Sequence, residues 1–462
     1  MRTKLLTLML ASMVVLLSLS IAGAQERVRV RWFVGLGAGT DGPVITQQEA
    51  FVAEFNASQD EILLVLEVID NAQAYDVLNT QIAAGNAPDI VGPMGIRGRA
   101  SFEGVWLDLN PLIEATEYDL SDFDPALIDF YFVEGEGQLG LPFAVFPYFI
   151  MYNKDIFDEA GAPYPPANYG EPYVDWNGVE REWNTETLRD LALYLTVDID
   201  GNDATMDGFD TDNIVQFGYG TGYTDMRGEL TLFGAGNFVD EDNNAQIPDV
   251  WLEGAQWIHD AMWVDYFYPN GIYRDSDIMG GGSGNWFDSG NLGMHAIHLW
   301  YMGWGTSSLD SRGIPWDLAP IPSHNGEVTA KLHADTFGIM ARTRYPEEAF
   351  TVLTYMLGEN ADTLTRIYGG LPARISLQDG FFDRFAEGIG MSDADINWDV
   401  ALQSLSFPDN PNHEEGMPSF LESSDRYAET WNLVLQNGNL DVARELEVLR
   451  AELQSIFNAA SR

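Results

Sequence analysis

The sequence contains no cysteine. That excludes a disulfide framework, a thiol nucleophile and a zinc–thiolate centre, and it closes the route to an anchor on an acylated N-terminal cysteine. Lysine is almost missing: Lys4, Lys154 and Lys331 are the whole set. Lysine and arginine together number 23 against 71 acidic residues, a formal net charge of −48. Such a surface disfavours nucleic acid and anionic lipid, whose phosphates are held by clustered cations. Solubility or a salty habitat accounts for the acidity without any specific partner. Past the first residues no run is apolar enough to span a bilayer. There is no internal repeat, no low-complexity tract, no Ser-His-Asp order and no G-x-S-x-G elbow that would point to a hydrolase.

What is present is a long, evenly apolar chain. At 462 residues, 46% apolar and 20% charged, it is too large for one ordinary core and divides into two or more. Arg2 and Lys4 head an apolar stretch from Leu5 to Ile21, followed by Ala22-Gly23-Ala24. This is a secretory leader with a small-residue cleavage site, so residues 1–24 read as a signal peptide. The remainder is expected to be exported, periplasmic or extracellular and associated with the cell surface.

Residues Val28 to Val34 alternate as a first strand, with a Gly-rich loop, Gly35 to Gly42, behind it. Thr46 and Glu49 have the spacing of a capping box, and Gln48, Val52 and Phe55 form the inner stripe of a helix beside Phe51. Ile62 to Ile69 suits a buried strand, Asp76 to Ala84 a helix ended by Gly85, and Asp89 to Val91 another strand. This β-α-β-α-β order predicts an open, mainly parallel sheet. Further on, Asn184 caps a helix through Leu188, Leu191 and Leu195. Helical spacing recurs in Trp251, Ala255, Ile258 and Met262, and after Pro346 in Ala349, Val352, Leu353 and Met356. Val442, Leu446, Leu449, Leu453 and Ile456 share one face of a terminal helix. Two proline-bearing stretches, Leu141 to Asn153 and Ala319 to Lys331, read as connectors between lobes.

Several short motifs follow one another in a familiar order. Ala83-Ala84-Gly85-Asn86-Ala87-Pro88-Asp89-Ile90 is followed by Trp106-Leu107-Asp108-Leu109, then Leu141-Pro142-Phe143 leading to Tyr152-Asn153-Lys154-Asp155. Ser289 to Met294 and Gly369-Gly370-Leu371-Pro372-Ala373-Arg374 complete the series. Together they resemble the extracellular solute-binding proteins of ABC transporters, in the maltose-binding-like sugar group. The resemblance implies an α/β fold of the type II periplasmic-binding-protein kind, two lobes joined by a hinge of crossover segments. Lobe one would be 25–144 plus 332–376, and lobe two 145–331 plus 377–462. It implies a monomeric, non-catalytic receptor that takes a small carbohydrate and delivers it to permease subunits, with no cofactor required. Where maltose-binding members carry an acid in the first crossover, this chain has Phe146, so maltodextrin itself is not implied.

A sugar offers hydroxyls at its rim and apolar faces above and below, so its binder needs flat rings with carboxylates and Arg forks. The resemblance assigns the stacking position to Trp300; Trp304 of the same aromatic segment is a second candidate, and either ring could instead belong to the core. Gln216, Tyr219 and Tyr223 match a ligand-facing loop, or serve only its turns. Asp41, at the end of the first Gly-rich loop, either grips hydroxyls or caps the next helix. Met94 follows the third strand, Phe146 and Tyr148 lie in the crossover, and His333 and Asp335 stand where the chain re-enters lobe one. Arg374 either reaches ligand or pins a crossing by salt bridge.

Asp198, Asp200, Asn202 and Asp207 place oxygen ligands along a short loop, a pattern that suits a structural calcium, although the EF-hand spacing fails. A solvated acidic turn is the alternative. His295 and His298, three apart in a strand, should point to opposite faces. A secreted glycoside hydrolase and a calcium-dependent surface protein are the rival functions.

Overall fold

The computed structural model describes residues 27–460 except 38, 41, 223–225, 241, 282–285, 304–312, 359, 389–395 and 410–416. The leader, Asp41, Tyr223 and Trp304 therefore lie outside the described residues. No helix among the described residues is long and apolar enough to cross a membrane.

Two sheets carry the architecture. Their strands are β1 (Val28–Val34), β2 (Ile62–Val68), β3 (Ile90–Met94), β4 (Leu141–Phe146), β5 (Tyr148–Asn153), β6 (Val197–Asp198), β7 (Ile214–Thr221), β8 (Leu292–His298), β9 (Trp316–Ala319), β10 (His333–Ile339) and β11 (Leu371–Pro372). The first sheet has the order β11-β4-β10-β3-β1-β2 and the second β6-β7-β8-β5-β9. Parallel pairing occurs at β1–β2, β1–β3 and β7–β8, as the β-α-β order predicts. The other ladders are antiparallel, so both sheets are mixed rather than mainly parallel. The reason lies in the connections. A strand that arrives from the other sheet needs no helical crossover, and it pairs in whichever direction it enters.

The two proline-bearing stretches are indeed the places where the chain changes sheet. β4 ends in the first sheet at Phe146, Pro147 intervenes, and β5 starts in the second at Tyr148. The return runs from Ala319 of β9 to His333 of β10. After β11 the chain leaves the first sheet again, and Trp398 packs edge-on against Trp316 of β9.

Helices cover the sheets with the faces that their spacing predicts. In α1 (Gly42–Ser58) Gln48, Phe51, Val52 and Phe55 are buried. The helix starts before Thr46, whose hydroxyl bonds the Gly42 carbonyl at 3.3 Å, so the capping box does not form. α2 (Asn71–Ala83) also starts early, because Asp70 accepts the Ala72 N–H and caps it. α3 (Ile96–Ala100) follows β3 directly. Asn184 caps α4 (Thr185–Leu195) through the Thr187 N–H at 2.9 Å. α5 (Asp249–Trp263), α6 (Pro346–Met356) and the pair α7 (Phe420–Gln436) and α8 (Val442–Ala460) complete the set used below. In α8 Phe457, not Ile456, takes the last buried place.

Candidate binding site at the crossing

The Phe146-Pro147-Tyr148 step positions the site. Phe146 pairs with His333 in the first sheet, and Tyr148 pairs with His298 in the second. One proline between the two ladders thus brings a histidine of each sheet together. Their rings stack with centroids 4.4 Å apart and planes 8° from parallel. His298 donates from Nδ1 to the Phe146 carbonyl at 2.9 Å, which fixes its tilt. Tyr148 also lies against His298, with centroids 4.7 Å apart and planes tilted by 39°. Trp300, two residues on and partly exposed, continues the series at 6.2 Å and 19°. Burial, then the neighbouring His333, keeps His298 neutral, well below the usual imidazole range.

Asp335 is two residues past His333 and so faces the same side of β10. A side chain on Gly95 would come within 3.2 Å of its Oδ1, so the end of β3 stays open above the carboxylate. Asp335 keeps part of its surface in water, yet burial raises its carboxyl to about 7. The two facts agree if the group lies at the bottom of a recess. The Tyr368 hydroxyl is buried with no partner among the described groups. Burial, reinforced by Asp335, pushes its ionisation up. Gly39, at φ +110°, lets the first loop run against that ring: a Cβ there would lie 2.9 Å from Tyr368 and 2.8 Å from Val34. On the same lobe Tyr75 of α2 stacks on Phe102 and carries the Arg97 guanidinium 5.6 Å from its centroid. Burial first, then the Asp335 charge, raises the Tyr75 hydroxyl, while Arg97 opposes.

Of the predicted residues that are described, the structure brings Trp300, His333 and Asp335 to the crossing and gives Met94, Phe146, Tyr148, Gln216, Tyr219 and Arg374 other contacts. Met94 is fully buried. Phe146 is buried over Gly370, and its carbonyl holds His298. Tyr148 is buried beneath His298 as a support. Tyr219 packs edge-on against Trp257 and Tyr268 in the second core. Gln216 pairs with Val197 near the start of β7 and donates to the Leu195 carbonyl at 2.7 Å, at the end away from the crossing. Arg374 is a pin: it bonds Asp122 at 3.0 Å, the Tyr118 hydroxyl at 2.7 Å and the Leu357 carbonyl. Tyr75 and Tyr368 were not predicted. For Tyr75 the available signal was its place near the start of the helix that follows a strand's carboxyl end, the side where ligands collect.

The acidic loop is built around one internal carboxylate. Asp198 accepts the N–H groups of Asp200, Asn202 and Asp210 and the Asn202 amide, and these bonds bring it down to about 2. Asp200 and Asp207 are exposed. Among the described residues no group of three or more His, Asp or Glu side chains is placed to hold a metal ion, and the loop is held by its own hydrogen bonds to Asp198. His295 and His298 do take opposite faces: His295 lies against Phe287 and Tyr301, not Tyr148.

A family model described as bacterial extracellular solute-binding protein matches residues 42–362, more than half of the chain. The chain belongs to that family. Residues of the ordered motifs in this solute-binding protein have structural roles. Asp89 is nearly buried and accepts the Arg31 N–H at 2.8 Å and the Thr343 hydroxyl at 2.5 Å. Asn153 caps the helix Lys154–Ala160. The fold is shared with solved structures of low identity. An ABC substrate-binding protein of Listeria monocytogenes in complex with cycloalternan is 19% identical at a TM-score of 0.70, covering 94% of this chain and 100% of that one. The GacH receptor of Streptomyces glaucescens, solved unliganded and with acarbose, is 14% identical at 0.67, covering 94% and 99%. A maltose/maltodextrin-binding domain of Bdellovibrio bacteriovorus bound to maltotriose is 15% identical at 0.62, covering 92% and 99%. No curated protein sequence matches the chain.

Proposed function

We propose that this solute-binding protein is the exported sugar receptor of an ABC importer, closing two lobes on a saccharide and presenting it to permease subunits. The lobes would be those expected from the sequence, with the first boundary at Pro147, because Val145 and Phe146 pair within the first sheet. The reading rests on one observation: rings from both sheets meet at the crossing, with a recessed carboxylate two residues away. Trp300 offers a flat face to a sugar ring, and Asp335 accepts from hydroxyls at its rim. The solved structures of the same fold with cycloalternan, acarbose and maltotriose bound support a saccharide as the ligand class. Contacts to both lobes would favour the closed form.

Titration calorimetry of the purified protein against mono- and oligosaccharides tests this. One class is expected to bind without being hydrolysed. Trp300→Ala is expected to weaken that binding about ten- to a hundred-fold, as loss of a central aromatic contact does. Absence of heat across the panel, or release of cleaved sugar, would overturn the reading.

A further inference from the structure

A second hollow, of about 800 Å³, lies on the other side of the first sheet. The crossings form its floor: Val145 of β4, Leu332 just ahead of β10 and Ala373 just past β11. Val145 pairs with Ala334, which lies between His333 and Asp335. Alternation along the strand therefore turns this hollow away from those two residues. Phe130 and Phe132 wall one side and Leu405 the other. Phe132 and Ile375 of the lining leave 49% and 52% of their surface in water, an unusual exposure for large apolar side chains beside a concavity.

The rim has one sign of charge. Asp124, Asp129 and Glu134 line the hollow and are exposed, and no lysine, arginine or histidine is among its described lining residues. Arg374 is adjacent in sequence but is turned to Asp122 and Tyr118. An apolar interior of this size suits a small organic ligand. Exposed carboxylates without a counter-cation attract a positive group and repel a negative one. We infer that this hollow is a second ligand site, for a small apolar body carrying a protonated amine. It stands apart from the saccharide cleft and does not depend on the sugar reading.

Three probes with one apolar body separate the effects: phenylbutylammonium, phenylbutanol and phenylbutyrate, titrated calorimetrically into the purified protein. The ammonium is expected to bind about ten-fold or more tighter than the alcohol, with no measurable heat from the carboxylate. Combining Asp129→Asn with Glu134→Gln, which leaves Asp124 as the one exposed rim carboxylate, should cut that preference several-fold and leave the alcohol's affinity unchanged. Ala126→Trp, at an exposed lining position, should abolish ammonium binding without moving the melting temperature by more than a few degrees. Should that variant fail to fold, the charge-neutral pair still decides. Equal binding of all three probes, binding of none, or an ammonium affinity unmoved by the charge-neutral pair would overturn the inference. So would displacement of the ammonium by the saccharide that the protein binds.

Discussion

Arg374 and Asp335 show how position decides the work of a charged side chain. Arg374 ties the first lobe together, with the Phe123 ring 4.7 Å from its guanidinium in addition to its three bonds. A lysine cannot reproduce that fork. Arg374→Lys is therefore expected to cost about 2 kcal/mol of stability, read by denaturant unfolding, with saccharide affinity kept within about two-fold. Asp335 has no such partner holding it down, and burial alone raises it from 3.8 to about 7. The folded chain then keeps a proton that the unfolded chain has released. Stability from this group is complete below about pH 4 and is lost as pH climbs toward 7. Glu229, raised to about 7 by burial against the opposing pull of Arg274, contributes a slope of the same sign. Asp335→Asn should flatten the fall in melting temperature between about pH 4 and 7 seen by scanning calorimetry. Saccharide binding should move the other way. Hydroxyls donate to the ionised carboxylate, so affinity should rise as pH passes through 7, and this trend should vanish in Asp335→Asn.

Elements dock here through close backbone approach as much as through apolar side chains. Gly218 of β7 faces α4 so tightly that a Cβ would lie 2.0 Å from the Ala192 carbonyl oxygen. Leu188, Leu191 and Leu195 of the same helix are fully buried. Gly218→Ala is expected to lower stability by about 1–3 kcal/mol, since neither backbone can yield without moving the packed layer. Thermal unfolding of the unliganded protein checks it. Helix starts show what spacing can and cannot decide. Asn184 has an extended backbone and a free acceptor, and caps as expected. Thr46 and Glu49 have the same sequence logic, but the chain already turns helical at Gly42, so Thr46 becomes an interior residue.

The two lobes also touch away from the crossing. Ala100 of α3, in the first lobe, is buried in the second core. The Glu103 carboxylate stands near the backbone N–H of Phe420 at the start of α7, which lowers its carboxyl against the larger rise from burial, as the positive end of a helix does. Opening the lobes must break this contact. Glu103→Ala is expected to reduce saccharide affinity several-fold without touching the sugar, because it weakens only the closed state. Small-angle scattering should show a larger unliganded radius of gyration than for the unaltered chain. An unchanged radius together with unchanged affinity would remove Glu103 from the closure.

Much was determined by the sequence alone. Apolar spacing located the helices and first strands, the prolines located the crossings, and the ordered motifs announced the solute-binding fold, because these depend on neighbours within one element. Tertiary structure alone decided the site. Phe146, Tyr148, Tyr219 and Met94 carry the right chemistry in the right segments, yet they are buried supports. Tyr368 and Tyr75, far apart in the chain, both stand close enough to Asp335 to sense its charge. Whether a ring faces a ligand or a core depends on which sheet lies behind it. That is fixed only when distant strands pair across a proline and bring His298 against His333.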